Sequence, residues 1–159
     1  MSLENRISPH KEPIDPIIQT NLDVVASHFR DEASNNIAGV LNSYTDDITW
    51  IGHIRKDGPL VVEGKDAASA NYHSIFDALE GIKFDTLWQS ATKEYVFDRS
   101  TVKFTVAREG HFSGLQVGQE GELNLVHIFR MRDGKICKEE VYEMPPDTVH
   151  EIWKSPITQ

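Results

Sequence analysis

The dipeptide Asp133-Gly134 constrains the fold of this chain more than any other feature of its sequence. It lies between two alternating runs in residues 127–144, which read HIFRMRDGKICKEEVYEM. An Asp-Gly pair in this setting is the strongest short-range signal for a β-hairpin with a type I′ turn, because both turn residues need a positive φ. We therefore predict a two-residue loop in which Arg132 pairs with Lys135.

An unbroken ladder from this turn places His127 opposite Glu140 and Leu125 opposite Tyr142. Side chains alternate along a strand, so all four share one face with Phe129, and we take that face as inward because it is the more apolar. Directly opposite residues have Cβ atoms about 4.5–5.5 Å apart, which brings His127 within hydrogen-bonding reach of Glu140. Burial and a charged partner shift the pKa of such groups, as general acid–base catalysis requires. The alternative is an ion pair that only fixes the register.

The rest of the chain is predicted to form helices followed by strands. Apolar residues recur at helical spacing in three segments, at about 16–29, 33–44 and 66–79, with Gly81 ending the third. Strands are predicted at 48–54, 86–97 and 101–108, with a turn at Asp98-Arg99. Helices followed by a meander of antiparallel strands indicate an α+β fold with the helices on one face of the sheet. We predict a single domain over residues 1–159, with a loose N-terminal arm at 1–14 and a C-terminal extension at 145–159.

Composition and charge narrow the classes of function. The net charge of −9, from 25 acidic and 16 basic residues, argues against nucleic acid as a partner. No apolar run approaches the roughly 18 residues of a membrane span, and no secretory signal is visible, so we expect a cytoplasmic protein. Cys137 is the single cysteine. His53, His73, His111 and His127 lie on different elements and could converge on a metal, but the prediction is no metal and no cofactor.

Several other side chains are candidates either for the core or for the wall of a pocket. Trp50 and Tyr72 fall on the inward faces of the first strand and the third helix. The hydroxyls of Tyr72 and Tyr142 need partners if buried, and one of them could polarise a substrate carbonyl. Arg108 continues the inward line of Phe104 and either binds a carboxylate or emerges at the rim. The glycine-rich loop at 113–121 lacks a P-loop lysine, and we interpret it as a lid.

Four motifs carry a resemblance to a known family: Tyr44-Thr45-Asp46-Asp47, Gly64-Lys65-Asp66-Ala67, Gly110-His111-Phe112-Ser113-Gly114, and the FRMRDGKI run at 129–136. Together they resemble the SnoaL-like branch of the nuclear transport factor 2-like superfamily. The resemblance implies a cone-shaped barrel, in which a bent antiparallel sheet wraps around N-terminal helices and encloses an apolar pocket. It also implies a homodimer formed through the outer sheet face. Members include polyketide cyclases, ketosteroid isomerases, epoxide hydrolases and dehydratases, as well as uncharacterised binding or assembly modules.

The chain departs from the family at three positions. Gly52 stands where ketosteroid isomerases carry a base aspartate, which disfavours isomerase chemistry of that type. Cyclases of this kind often end the last strand in Tyr-x-Asp, whereas here Tyr142 is kept and Met144 replaces the acid. Phe112 stands in place of the histidine of the family's Gly-Thr-His-Thr-Gly stretch.

These observations support two hypotheses. The first is a cofactor-independent isomerase, cyclase or dehydratase that moves protons on a small hydrophobic carbonyl compound. In it Glu140 is the base, His127 its partner or the acid, and Tyr72 or Tyr142 the carbonyl donor. The pocket is lined by Trp50, Phe104, Leu125, Phe129, Met144 and Arg108. The second hypothesis is a non-catalytic ligand-binding or assembly module on the same fold.

Overall fold

The computed structural model describes residues 14–53, 57–109 and 115–144. Within them the chain forms α1 (Pro16–Ala33), α2 (Ile37–Asn42), β1 (Tyr44–His53), β2 (Leu60–Glu63), α3 (Lys65–Ala78), β3 (Leu79–Ala91), β4 (Tyr95–Val106), β5 (Glu120–Arg132) and β6 (Lys135–Met144). None of the described helices is long and apolar enough to cross a membrane. The Gly110–Gly114 motif, most of the predicted N-terminal arm and the C-terminal extension lie outside the described residues.

The six strands form one curved sheet in the order β2-β1-β6-β5-β4-β3. Helix α3 contacts β1 and β2 at one edge and also β3 at the other edge, so the sheet must bend around the helix. The predicted α+β fold, with a bent sheet wrapped around N-terminal helices, is confirmed. The sheet is mixed rather than wholly antiparallel, because β1 and β6 run parallel. These two strands are joined through a helix and a meander, so no hairpin fixes their relative direction.

Helix α1 presents an unusual inward face to this sheet. Asp15 caps its N-terminus by accepting a hydrogen bond from the Ile17 N–H at 2.9 Å, and Pro16 occupies the first turn. Five buried residues follow helical spacing along this face. Two of them, Val25 and Phe29, are apolar, whereas the other three are polar: Asn21, His28 and Glu32. A buried polar stripe is costly unless each group finds a partner, so this face of α1 points to a polar centre in the core.

The loop between β3 and β4 is not at Asp98-Arg99, as the sequence pattern predicted. The chain reverses between Ala91 and Tyr95, where the Thr92 hydroxyl accepts hydrogen bonds from the N–H groups of Glu94 and Tyr95. A threonine hydroxyl that caps its own turn supplies the reversal without glycine or proline. Asp98 therefore lies inside β4, where it is fully buried.

Two further boundaries differ from the prediction. Gly81 does not end α3, because the chain passes directly from Ala78 into β3. Its φ of +62° instead accompanies an irregularity in the pairing of β3 with β4. The short strand β2, at the edge of the sheet, falls in a segment where only a loop was expected.

The turn at Asp133-Gly134 forms as predicted, with φ angles of 51° and 69°. Arg132 pairs with Lys135, and the next pair up the ladder, Met131 and Ile136, also follows the prediction. The ladder then contains a bulge. Arg130 pairs with Lys138, which leaves Cys137 without a partner on β5.

This one-residue bulge overturns the predicted pairing of His127 with Glu140. His127 faces Val141, Ile128 faces Glu140, and Phe129 faces Glu139. Because a shift of one residue exchanges the two faces of a strand, Glu139 becomes the inward carboxylate and is only 1% exposed. Glu140 is turned to the outer face of the sheet.

Candidate active site

A cavity of about 660 Å³ lies between α3 and the curved sheet. Its wall is mainly aliphatic and aromatic, and every strand contributes to it. The polar side chains that reach the cavity from buried positions are Glu32, Tyr72, His127 and Glu139. Pockets of 300–1,000 Å³ with apolar walls and a few polar groups are typical of sites for small organic ligands.

The sequence analysis located part of this cavity. Five residues singled out from their spacing line it: Trp50, Tyr72, Phe104, Leu125 and His127. Three other predicted lining residues do not: Arg108, Met144 and Phe129. Arg108 is exposed beyond the end of β4, and Met144 is half-buried at the end of β6. Phe129 does face inward, but it is fully buried beneath the rings of His28, Phe29 and His127.

Glu140 and Tyr142 were predicted to be catalytic, but neither reaches the cavity. Tyr142 stacks on the ring of His53 with 4.1 Å between centroids. Glu140 lies 2.9 Å from Lys138 and 4.0 Å from His53. These contacts are on the outer face, and the bulge at Cys137 is the physical reason for the difference.

His28 occupies the centre of a buried polar network that the sequence analysis missed. Its Nδ1 lies 2.8 Å from the Ser43 hydroxyl, which itself donates to the Val40 carbonyl at 2.6 Å. Since the single proton of Ser43 is used there, Nδ1 of His28 must be the donor to Ser43. On the other side of the ring, Nε2 lies 3.1 Å from Glu32 and 3.4 Å from Glu139.

Two carboxylates beside one imidazole decide its charge. Burial by itself lowers the pKa of His28, but the charges of Glu32 and Glu139 outweigh burial and raise this pKa to about 10. Burial likewise works against the charged form of Glu139, yet the neighbouring His28 and the hydrogen bond from Tyr44 lower the pKa of Glu139. The pair is therefore an imidazolium and a carboxylate at neutral pH.

Two tyrosines join the two carboxyl groups into a chain. Tyr72 donates to Glu32 at 2.6 Å, Tyr44 donates to Glu139 at 2.5 Å, and their hydroxyl oxygens are 2.8 Å apart. Burial raises the pKa of both tyrosines well above the ordinary value, so both keep their protons. Two hydroxyl protons cannot satisfy three oxygen–oxygen contacts. While both carboxyl groups are ionised, the contact between the two tyrosines has no proton of its own, and one further proton on either carboxyl group would complete the chain.

Four different elements position this network. His28 and Glu32 are one helical turn apart on α1, and Tyr72 extends from α3. Tyr44 is the first residue of β1, and Glu139 is turned inward on β6 by the bulge. The signal that was available in the sequence is the His-x-x-x-Glu spacing at 28–32, inside an otherwise apolar helical stripe.

A second polar group lies next to the first. His127 on β5 is directly opposite Asp98 on β4, with 3.9 Å between Nδ1 and a carboxylate oxygen. Asp98 accepts hydrogen bonds from Gln89 at 3.1 Å and from Ser100. Burial lowers the pKa of His127, which therefore remains a neutral imidazole at neutral pH.

The same network contains the one group of described residues whose arrangement suits a metal ion. Ligand atoms of His28, Glu32 and Glu139 all lie within 4.8 Å of one another. A histidine with two carboxylates is an ordinary donor set for a divalent cation. The hydroxyls of Tyr44 and Tyr72 donate hydrogen bonds to the same two carboxyl groups. The histidine combinations considered from sequence do not form this group.

Comparisons with known proteins agree with this architecture. The chain belongs to the SnoaL-like domain family, which it matches over residues 25–139. Its fold is that of the nuclear transport factor 2-like and ketosteroid isomerase-like superfamily. A search of curated proteins gives no match.

Three solved structures illustrate the range of proteins with this fold. A protein proposed to be a SnoaL-like polyketide cyclase, from Jannaschia sp. CCS1, superposes with a TM-score of 0.70 at 17% identity, over 89% of this chain and 94% of that one. A nuclear transport factor 2-like protein of unknown function from Burkholderia pseudomallei gives 0.65 at 17% identity, over 84% and 95%. An LEH-like epoxide hydrolase from M. tuberculosis gives 0.64 at 13% identity, over 87% and 90%.

Proposed function

We propose that this protein is a cofactor-independent enzyme that moves protons on a small hydrophobic carbonyl compound. The observation that carries the proposal is the buried network of Glu32, Tyr72, Tyr44 and Glu139, both ends of which reach a mainly apolar cavity. Buried charges are costly to a fold unless well partnered. Two buried carboxyl groups on the wall of a mainly apolar cavity are typical of a site for acid–base chemistry.

In this proposal the chain takes up one further proton at Glu32 before the reaction, so that Glu139 is the base and Glu32 the acid. The Glu139 carboxylate removes a proton from the carbon next to the carbonyl, and the electron pair of that C–H bond forms a carbon–carbon double bond. The protonated carboxyl group of Glu32 gives its proton to the carbonyl oxygen, so the product of the step is an enol. This enolisation is common to isomerisation, aldol-type cyclisation and the elimination of water.

The tyrosine chain offsets the low basicity of Glu139. After the step Glu139 holds a proton and Glu32 has lost one, so all three hydrogen bonds of the chain can reverse direction. A proton passed from Glu139 through Tyr44 and Tyr72 to Glu32 then restores the starting state without water. His28, positively charged throughout, stabilises whichever carboxylate is ionised.

The relatives support acid–base chemistry in general rather than one reaction. Their names include polyketide cyclase and epoxide hydrolase, which are different reactions on one fold. With identities below 20%, these names do not select between isomerase, cyclase and dehydratase for this chain. Which of these three reactions the protein catalyses depends on the structure of its substrate.

Hydrogen–deuterium exchange of a probe ketone tests the proposal. We expect the wild-type protein in D2O to accelerate exchange of the α-hydrogens of 2-tetralone, followed by proton NMR. Glu139→Gln should lower the accelerated rate by about 100-fold or more, since a positioned base contributes that much. Glu140→Gln, which changes the neighbouring residue on the outer face, is the matched control and should retain the wild-type rate.

Two outcomes contradict the proposal. If 2-tetralone saturates the wild-type protein without accelerated exchange, the chain is a ligand-binding module, which is the second hypothesis. If Glu139→Gln exchanges the probe as fast as wild type, another group is the base. Circular dichroism and melting curves of each variant show whether loss of exchange reflects loss of fold.

A further inference from the structure

The proposed reaction leaves His127 and Asp98 without a role. His127 is 3% exposed, lines the cavity, and has an Nδ1 atom with no hydrogen-bond partner among the described residues. Asp98 is fully buried on the neighbouring strand. Most buried polar atoms in native proteins are paired, so an unpaired imidazole on a cavity wall needs an explanation.

The ring of His127 is held in a fixed orientation. It stacks on Phe129 with 3° between the planes and 5.6 Å between centroids, and its edge meets the ring of Phe29 at 5.1 Å. Its Nδ1 faces the Asp98 carboxylate oxygen at 3.9 Å, directly across the β4–β5 ladder. With Nδ1 directed to the sheet, Nε2 is the nitrogen left for a ligand.

Asp98 determines which of these nitrogens carries the proton. Its carboxylate accepts hydrogen bonds from Gln89 and Ser100, so it presents lone pairs rather than a proton to its neighbours. A lone pair on Nδ1 of His127 would face those lone pairs, whereas an N–H would be attracted to them. The favoured neutral tautomer therefore has the proton on Nδ1 and a free lone pair on Nε2.

We propose that Nε2 of His127 accepts a hydrogen bond from a hydroxyl group of the ligand, and that Asp98 is the positioning residue that fixes this tautomer. The ligand is then an apolar compound that carries a hydroxyl donor, such as a phenol or an enol. A ketone or ether oxygen at the same point would place one lone pair against another. This inference deepens the proposed function by naming a substrate feature, and it rests on the same cavity but not on the acid–base network.

The surroundings of His127 suit a flat hydroxylated ligand. Phe84 lies 6.4 Å from His127 between ring centroids and also lines the cavity. Leu125, two residues along β5, lines the same wall. Aromatic rings and a leucine bind an apolar ring through burial alone, so the discrimination for a hydroxyl group must come from His127.

A pair of ligands that differ in one hydrogen-bond donor tests the acceptor role. We expect wild-type protein to bind 2-naphthol about threefold to tenfold more tightly than 2-methoxynaphthalene, as one net hydrogen bond implies. Calorimetric titration measures both affinities. His127→Phe should bind the two compounds equally, and His73→Gln, at an exposed position on α3, should keep the wild-type preference. Equal binding by the wild-type protein would overturn the proposal.

The role of Asp98 has a spectroscopic signature. In nitrogen–proton correlation spectra of protein labelled at histidine, we expect His127 to be protonated on Nδ1 and not on Nε2. Asp98→Asn should increase the Nε2–H form and remove the preference for 2-naphthol. A merely structural role would lower the melting temperature without changing the tautomer. A wild-type His127 protonated on Nε2 would overturn the inference.

The failure of this inference and that of the proposed function are distinguishable. Glu139→Gln should lose the exchange of 2-tetralone yet keep the preference for 2-naphthol, because the contact of His127 with Asp98 remains even though the charge of Glu139 also acts on His127. Asp98→Asn should show the reverse pattern, with the preference lost and the base still present. If each variant loses both properties, the two groups of residues form one site and the inference is wrong.

Discussion

His28 carries a positive charge in a position from which solvent is excluded, and the carboxylates of Glu32 and Glu139 depend on it. The ring has no exposed surface, and Glu139 is 1% exposed. Removing one member of a buried ionic group leaves the others uncompensated, which is strongly destabilising. The charge of His28 therefore couples the stability of the fold to the protonation of the proposed active site.

This coupling predicts how stability depends on pH. The pKa of His28 is about 10 in the folded chain, against an ordinary value of 6.5. Its charge therefore stabilises the fold fully below pH 6.5, and this contribution is lost as the pH rises toward 10. We expect the free energy of unfolding to fall by on the order of a few kcal/mol over that range. Urea unfolding at closely spaced pH values measures the slope.

The matched variants for this experiment are two histidine substitutions. His28→Gln removes the titrating group and should flatten the slope as well as lower stability at neutral pH. His73→Gln changes an exposed histidine and should leave the wild-type slope intact. A wild-type free energy of unfolding that does not change between pH 7 and pH 9.5 would show that His28 is not held as a buried cation.

The sequence alone identified several single residues of the site but not their partners. Trp50, Tyr72 and His127 were found because helical and strand periodicity place them inward. His28 and Glu32 were missed because a polar residue on an apolar stripe is not by itself distinguishable from a tolerated one. Their meaning depends on Glu139, which is more than 100 residues away in the chain. Periodicity gives the face of a side chain, whereas long-range contacts give its chemistry.

Between elements, the bulge in β6 has the largest consequence for the site. The Asp-Gly turn specifies the register of the hairpin only as far as the ladder is regular. Nothing in the sequence around Cys137 indicates a bulge. The sequence analysis therefore assumed an unbroken ladder, and this wrong assumption placed His127 opposite Glu140. One extra residue exchanged Glu140 for Glu139 on the inward face. Because residues 139 and 140 are both glutamates, the composition of the strand does not indicate which of the two faces inward.

A contact between helix α1 and the β3–β4 loop fixes the elements around the cavity. Asn21 is 2% exposed and donates to the carbonyls of Thr92 and Lys93 at 3.1 and 3.0 Å. Asp15 at the helix N-terminus forms an ion pair with Lys93 at 2.9 Å. The helix that carries His28 and Glu32 is thereby held against the end of the sheet.

We expect the loss of this contact to weaken the fold measurably. Asn21→Ala leaves two carbonyls without their donor and should lower the free energy of unfolding by about 1–3 kcal/mol. Gln19→Ala removes an exposed hydrogen bond to Asp23 on the same helix and should change it by less than about 0.5 kcal/mol. Urea unfolding compares the two variants. An Asn21→Ala protein as stable as wild type would mean that water replaces the amide without cost.

At the scale of the whole molecule, the order of helices and strands was sufficient to predict the fold class. Three amphipathic helical segments followed by long alternating strands leave few arrangements other than helices on one face of a sheet. The parallel pairing of β1 with β6 was not predictable, since residues 54–134 separate these two strands and no hairpin joins them. The curvature of the sheet was predicted only from the resemblance of four short motifs to a known family, because the periodicity of the sequence does not encode it.

The outer face of the sheet is where the homodimer expected from the family resemblance would form, and it stays a prediction. Register places Phe97, Ile128 and Glu140 in one row across this face, while Trp88 pairs with Arg99 in the next. Trp88 is 58% exposed. The five long strands, about 4.8 Å apart and each about 33 Å or more in length, present roughly 800 Å². That area is about what each partner buries in a standard interface.

A charge on this face tests the dimer. We expect the wild-type protein to sediment as a dimer and Trp88→Glu to sediment as a monomer, because the substitution removes an exposed indole and introduces a carboxylate that is costly to bury even beside Arg99 on the neighbouring strand. Val117→Glu is the matched control: Val117 is 53% exposed, lies between β4 and β5, and should tolerate the charge without loss of the dimer. Sedimentation velocity over a range of concentrations measures both variants. A wild-type monomer, or a Trp88→Glu dimer, would mean that the outer face has another role and that the cavity functions within a single chain.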